Sequence, residues 1–187
     1  MRYIKFIFAI AVIASACGMA SAQKGMQGIG VNLGFRYEVY LIDGAVMDEG
    51  IVPGVDLKYQ YNVNNFYRLE PFLSFDMRSG QKDVQVGLNN HIFMSKVKRF
   101  RPYFIMGVGF SWMEYTGDLQ RYWKNENDNV YLANSLTSNS FYWRGGFGGD
   151  YRFTHTLSGQ IELCMAGTAG GYFLAYPQVR IGVAYNF

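Results

Sequence analysis

The residue types that most often do chemistry in proteins are few and far apart in this chain of 187 residues. Its two histidines, His91 and His155, have no serine or aspartate at the spacing of a local catalytic motif. A catalytic partner for either histidine would have to come from a distant strand. Cys17 lies near the N-terminus, and Cys164 is the only other thiol. The thiol of Cys164 and two separated histidines form no zinc-type ligand cluster. The local spacing therefore predicts a protein that is not an enzyme and that holds no metal ion and no cofactor.

The N-terminal 22 residues have the three parts of a secretory signal peptide. Arg2 and Lys5 form a positive start, residues 6–16 are an apolar run, and the small residues at 20–22 supply a cleavage site. The apolar run is too short for a transmembrane helix, which needs about 20 residues. We therefore predict cleavage after this segment. Lipidation of Cys17 is the alternative, although the residues before it lack the large aliphatic side chain usual in lipoprotein signals.

Removal of residues 1–22 leaves one predicted domain, residues 23–187, of nearly balanced charge. It has 15 Lys and Arg residues against 14 Asp and Glu residues, which gives no support to binding of nucleic acid. Aromatic residues make up 18% of the whole chain and charged residues 17%, whereas soluble proteins average about 25% charged residues. This composition favours β-strands in which apolar and polar residues alternate.

Apolar and polar residues do alternate with period two through most of this domain. In the clearest run, Ile29, Val31 and Leu33 share one face while Gly30 and Asn32 share the other. Eight such runs occur, at 29–39, 55–61, 67–77, 84–94, 102–112, 141–153, 157–165 and 173–187. Their number and length predict an all-β fold, an eight-stranded antiparallel up-and-down transmembrane β-barrel with periplasmic termini.

Two features favour a membrane barrel over a soluble barrel or sandwich, in which the apolar face would point inward. The polar face carries many glycines, which suit the crowded interior of a narrow barrel. Threading the strands alternately up and down also places aromatic residues in two girdles. The predicted periplasmic girdle consists of Tyr59, Tyr61, Tyr67, Phe104, Tyr151, Phe153, Tyr185 and Phe187. The predicted outer girdle consists of Tyr37, Phe75, Phe110, Trp112, Phe141, Trp143 and Phe173.

The whole mature length resembles the small outer-membrane β-barrels of the OmpA/OmpX-like porin family. Gly182, Tyr185 and Phe187 at the C-terminus are similar to the signal read by the barrel-assembly machinery, although Ile181 stands where that signal usually has a polar residue. The resemblance implies an integral protein of the outer membrane of a Gram-negative bacterium. Its implied partners are outer-membrane lipid and, during biogenesis, the barrel-assembly machinery. The family covers many barrels, so the resemblance does not imply a porin's activity.

Charged residues recur on the face that points into the predicted barrel. Eight strands enclose a space that side chains can fill, and an unpaired buried charge is very costly. We therefore expect these residues to pair, with His91 hydrogen-bonded among them, and to plug the bore; a narrow ion path is the alternative. The predicted lumen charge network consists of Arg36, Glu38, Asp56, Lys58, Arg68, Glu70, Asp76, Arg144, Asp150, Arg152, Glu162 and Arg180.

The longest predicted loop, at 114–140, mixes aromatic and charged residues, a composition that can form a protein- or glycan-binding surface. The alternative is that the outer strands extend above the membrane and close with a polar tip. A shorter loop is predicted at 42–51. The candidate contacts of the long loop are Tyr115, Arg121, Tyr122, Trp123, Lys124 and Tyr131. A basic periplasmic turn is predicted to contain Lys96, Lys98, Arg99 and Arg101.

These features predict a non-enzymatic outer-membrane barrel with a side-chain-filled lumen and a structural or surface-interaction role through its extracellular loops. One alternative is an accessory barrel subunit of a larger envelope complex for secretion, barrel assembly or uptake, with other envelope proteins as partners. The other alternative is a narrow ion-conducting pore. Conductance in planar bilayers separates the pore from the other two functions.

Overall fold

The computed structural model describes residues 25–42, 45–95, 99–116, 135–169 and 173–187. Each strand is antiparallel to its neighbours, and β1 pairs with β8 to close the sheet. The eight strands are β1 (Gln27–Ile42), β2 (Ala45–Asn62), β3 (Tyr67–Arg78), β4 (Gln81–Phe93), β5 (Phe100–Thr116), β6 (Ser135–Arg152), β7 (Leu157–Ala169) and β8 (Phe173–Asn186). The predicted eight-stranded up-and-down barrel is therefore confirmed. The described residues contain no helix that is long and apolar enough to cross a membrane.

The two faces of the sheet differ in chemistry as the alternation predicts. Leu33 and Phe110 point outward and are 57% and 61% exposed, whereas their polar neighbours Asn32 and Ser111 point into the barrel and are buried. This distribution reverses that of a soluble barrel, because the interior is polar and apolar side chains cover the outside. Apolar side chains in the interior form two small clusters: Phe72, Met113, Tyr142, Ala166 and Tyr176, and Phe93, Tyr103, Ile105 and Cys164.

The strands extend beyond the predicted runs at the end of the barrel opposite the termini. The predicted loop at 42–51 is wrong, because residues 45–51 belong to β2. A bulge after Glu38 shifts the pairing of β1 and β2 by one residue, which interrupts the alternation there. Gly50, which pairs with Glu38, has φ of 87°, a left-handed conformation that glycine adopts readily.

The predicted long loop is also shorter than expected. β5 continues to Thr116 and β6 begins at Ser135, and the two strands pair along their whole length. Residues 117–134, at the centre of the predicted loop, lie outside the described residues.

Short turns join strands at the end that carries the termini. In the turn at 63–66 the amide of Val63 donates to the carbonyl of Tyr67 at 3.0 Å. In the turn at 153–156 the amide of Leu157 donates to Oγ1 of Thr154, also at 3.0 Å. Such local hydrogen bonds satisfy backbone groups that leave the sheet.

Candidate functional site in the barrel interior

The interior contains most of the predicted lumen charge network. Eleven of its twelve residues are buried, and Arg152, at the last position of β6, is the half-buried exception. Two further charged residues, Asp83 and Arg101, are buried beside them. Arg101 was predicted in a basic turn; that prediction is wrong, because β5 begins at Phe100 and Arg101 shares the inward face of Tyr103. Extending the alternation of β4 and β5 by one step toward the strand start would have found both residues.

Arg36 is the centre of a group in the half of the barrel farther from the termini, which we call the Arg36 cluster. Its Nε lies 2.7 Å from Oε1 of Glu38, and its Nη1 lies 2.8 Å from Oδ2 of Asp76. The same Nη1 donates to Oδ2 of Asp83 at 2.5 Å. One guanidinium therefore neutralises carboxylates from three strands. Neutral side chains that also donate to these carboxylates are Gln81, Gln85 and Ser111.

A second group, the Asp56 cluster, crosses the middle of the barrel. Oδ1 of Asp56 accepts from Nη1 of Arg180, and its Oδ2 lies 3.8 Å from Nη1 of Arg144. Nε of Arg144 donates to Oδ1 of Asn89 at 2.7 Å. The guanidinium carbon of Arg144 lies 4.2 Å from the ring centroid of Phe72, a cation–π contact. The cluster joins side chains of five strands.

Asp150 forms a third group nearer the termini, the Asp150 cluster. Its Oδ2 accepts hydrogen bonds from Nη2 of Arg68 at 2.9 Å and from Nη2 of Arg101 at 2.7 Å. Both guanidinium groups also contact the ring of Phe93, at 4.9 Å and 4.1 Å from its centroid. The shared carboxylate and ring allow two arginines to lie side by side in a closed space.

Glu70 is the centre of a fourth group, the Glu70 cluster. Its Oε2 accepts from Nε2 of Gln60 at 2.9 Å and lies 3.7 Å from Nζ of Lys58. Its Oε1 accepts from Nδ2 of Asn89 at 3.0 Å and lies 3.5 Å from Nε2 of His91. Asn89 thus connects this cluster to Arg144, so the polar contacts are continuous between the two levels.

Tyr103 connects His91 to a second carboxylate. Its ring stacks on the ring of His91, with centroids 4.4 Å apart and planes inclined by 9°. Its Oη donates to Oε1 of Glu162 at 3.0 Å. Among the described residues, Glu162 is the only buried carboxylate that has no Lys or Arg nitrogen within 4.0 Å. No local spacing in the sequence could show this, because the three residues lie on β4, β5 and β7.

Other predicted site residues lie on the surface of the barrel or are not among the residues that the structure describes. Tyr185 and Phe187 point outward from the end of the chain and are more than half exposed, and Gly182 faces Asn32 in the interior. Tyr115 is in β5, but its side chain is outside the described set. The remaining loop candidates, Arg121, Tyr122, Trp123, Lys124 and Tyr131, also lie outside the described residues.

Comparison with solved structures places this geometry among known barrels. Neisserial surface protein A superposes with a TM-score of 0.61 at 9% identity, covering 86% of this chain and 97% of that chain. Ail, the attachment invasion locus protein of Yersinia pestis, gives a TM-score of 0.58 at 14% identity, covering 88% and 99%. This chain has the fold of the small outer-membrane β-barrels. The predicted resemblance is thus confirmed at the level of the fold.

A third similar structure is the N-terminal β-barrel domain of Pseudomonas aeruginosa OprF. It matches with a TM-score of 0.51 at 14% identity, covering 87% of this chain and 99% of that domain. No protein-family model and no curated protein sequence matches the chain. Because the identities are low, the likeness concerns the fold, and function has to be argued from this chain's own residues.

Proposed function

We propose that this protein is a non-enzymatic integral barrel of the outer membrane of a Gram-negative bacterium, with a structural or surface-interaction role. This proposal rests on one observation: compared with a soluble barrel, the two faces of the sheet are exchanged. Charged side chains are buried inside, and large apolar side chains are exposed outside. In water such an outer surface would be an extended apolar patch, which soluble monomers rarely expose. In a bilayer the same surface is matched by lipid tails, and its backbone groups are already paired in the closed sheet.

The aromatic residues on the outer wall support the same placement. Phe104 and Phe147 on neighbouring strands have ring centroids 4.8 Å apart, and Tyr151 and Phe153 have centroids 5.3 Å apart. These rings lie toward the end of the barrel that carries the termini, on the outward face. Rows of aromatic side chains at this position are typical of a membrane interface.

The interior supports a plug in preference to a channel. The Arg36, Asp56, Glu70 and Asp150 clusters occupy successive levels of the bore, and their members are almost completely buried. Apart from the Arg36–Glu38 pair within β1, the ion pairs join different strands, so opening a path would separate several buried pairs at once. Eight strands enclose about the space that such side chains fill, whereas aqueous channels have about sixteen or more.

The segment at 117–134 is the best candidate for contact with other molecules. It joins β5 to β6 at the end of the barrel opposite both termini, and its sequence mixes aromatic with charged residues. With periplasmic termini, this end faces the cell exterior. Two barrels of the same fold carry names that describe a surface protein and an attachment invasion protein, which agrees with such a role by analogy only.

The test is the particle mass of the protein extracted from native outer membranes in mild detergent, with conductance in planar bilayers measured on the same preparation. We expect one chain with its micelle and no conductance steps. A reproducible, much larger particle would contradict a free-standing barrel and favour an accessory subunit of an envelope complex. Regular conductance steps would contradict the plug. Heated and unheated gel samples show that the barrel is folded in each measurement.

A further inference from the structure

Glu70, His91 and Glu162 bring three potential ligand atoms together in the barrel interior. The side chains come from β3, β4 and β7, and none is more than 1% exposed. One nitrogen of His91 and one oxygen of each carboxylate all lie within 4.8 Å of one another. An imidazole nitrogen with two carboxylate oxygens is a ligand set for divalent transition metals, and zinc binds such a set readily.

The hydrogen bonding of His91 and Glu162 is incomplete. Neither ring nitrogen of His91 has a hydrogen-bond partner among the described residues, and neither does Oε2 of Glu162. A buried polar atom without a partner has lost its water without a replacement, and other interior residues of this barrel, among them Gln60, Tyr142 and Tyr176, also carry such atoms. A bound cation would take a lone pair from His91 and one from Glu162 at the same time.

The pattern of ion pairs in the interior also favours a cation at this place. Within the described part of the chain, the fully buried charged residues of the interior are seven carboxylates, Glu38, Asp56, Glu70, Asp76, Asp83, Asp150 and Glu162, and six permanent cations, Arg36, Lys58, Arg68, Arg101, Arg144 and Arg180; the half-buried Arg152 of β6 brings the cations to seven. Among these carboxylates, Glu162 is the one that has no Lys or Arg nitrogen within 4.0 Å. Its hydrogen-bond partner Tyr103 and its neighbour His91 carry no permanent charge, and Arg144 interacts with it electrostatically from beyond 4.0 Å.

The separation between His91 and Glu70 is compatible with a metal ion between them. A charge-assisted hydrogen bond from a protonated imidazole to a carboxylate spans about 2.7–2.9 Å. Nε2 of His91 and Oε1 of Glu70 are 3.5 Å apart. Two ligands of a tetrahedral zinc ion, each at about 2.1 Å from the metal, are about 3.4 Å apart. The distance therefore fits two metal ligands, although direct ion pairs of the interior, such as that of Lys58 with Glu70 at 3.7 Å, are also longer than a hydrogen bond.

The carboxylate oxygens of Glu70 and Glu162 accept hydrogen bonds from neutral side chains, as metal-binding carboxylates usually do. Asn89 donates to Oε1 of Glu70 and Gln60 donates to its Oε2, at 3.0 Å and 2.9 Å. Tyr103 donates to Oε1 of Glu162 and leaves Oε2 free. Such outer contacts orient ligands before the metal binds. We propose that Glu70, His91 and Glu162 form a buried site for one divalent metal ion of the zinc type, whatever role the outer surface has.

The test uses protein purified from membranes in detergent, unfolded in urea with a chelator, and refolded with or without zinc chloride. Refolding gives the ion access to a site that is closed in the finished barrel. After removal of free metal, elemental analysis should find about one zinc ion per chain in the natural protein. His91→Gln should retain at least about tenfold less zinc, and His155→Gln, which changes the other histidine in an exposed turn, should retain as much as the natural protein.

A second substitution and a spectroscopic measurement test the metal site independently if His91→Gln fails to fold. Glu162→Gln should also lose the zinc, whereas Glu114→Gln, on the exposed face of β5, should keep it. Refolding the natural protein with cobalt should give the visible absorption of a tetrahedral nitrogen and oxygen site. Equal zinc retention in folded His91→Gln would overturn the proposal. Refolded natural protein that holds no zinc would also overturn the proposal. If the free energy of unfolding of that protein then changes with pH, and that of His91→Gln does not, the positive charge at this place is a proton on His91.

Discussion

The hydroxyl of Tyr103 on β5 donates a hydrogen bond to Glu162 on β7, and it reaches that carboxylate by passing over Gly148 on the strand between them. A Cβ atom at Gly148 would lie 2.5 Å from the Tyr103 ring. The glycine therefore permits an aromatic side chain to lie flat across a neighbouring strand. Several other interior glycines face long side chains in the same way, and this is how a narrow barrel accommodates so many arginines and aromatic rings.

Gly148→Ala should destabilise the barrel, because the added methyl group would push Tyr103 away from Glu162 and His91. We expect a loss of about 1–3 kcal/mol in the free energy of unfolding. The matched control on the same strand is Gly145→Ala, whose Cβ would meet nothing closer than 4.0 Å. Urea unfolding in lipid vesicles measures both variants. Equal stability of the two would contradict the packing of Tyr103 over Gly148.

Asp150→Asn should be more damaging than most single changes. It removes the carboxylate shared by Arg68 and Arg101 and leaves two buried guanidinium groups side by side. Breaking a buried ion pair on one side costs about 3–5 kcal/mol. Glu114→Gln, which changes an exposed carboxylate, should have little effect in the same urea titration. A stability near that of the natural protein for Asp150→Asn would mean that water reaches the Asp150 cluster.

The thiol of Cys164 should be protected in the folded barrel. Cys164 is 7% exposed and packs in the interior with Phe93, Tyr103 and Ile105. A maleimide should therefore modify it only after unfolding. The control is Leu163→Cys in a Cys164→Ser background, because Leu163 points outward and is 57% exposed. Mass spectrometry should show rapid modification of this variant by a membrane-soluble maleimide. If Cys164 of the natural protein reacted faster than the thiol of this variant, the inward and outward faces of β7 would be the reverse of those described.

The tryptophans should report the position of the membrane. Trp112 and Trp143 lie on the outward face, and Trp123 belongs to the segment at 117–134. In a variant that keeps only Trp112, fluorescence should be quenched strongly by lipids with brominated acyl chains, as expected for an interfacial side chain. A variant that keeps only Trp123 should respond instead to a quencher dissolved in water. Quenching of Trp123 by the lipids would contradict an extracellular position for that segment.

Much of the architecture follows from local pattern. Period-two alternation assigns Leu33 to the outer wall and Asn32 to the interior without reference to any other strand, because successive side chains of a strand point to opposite faces. The same pattern extends to Asp83 and Arg101, which the sequence interpretation missed only because the strand starts were placed too late. At Glu38 the bulge interrupts the pattern, and the extent of β2 could then not be predicted.

The sequence alone thus determined the number of strands, the two faces of each strand, and most of the side chains that share the interior. Only the tertiary structure decided which of them meet. Glu70, His91 and Glu162 come together because the closed sheet curves β3, β4 and β7 around one narrow bore, and Glu162 is left without a Lys or Arg contact by the same geometry. Alternation is a property of neighbouring residues, whereas contacts across a barrel depend on the register of all eight strands.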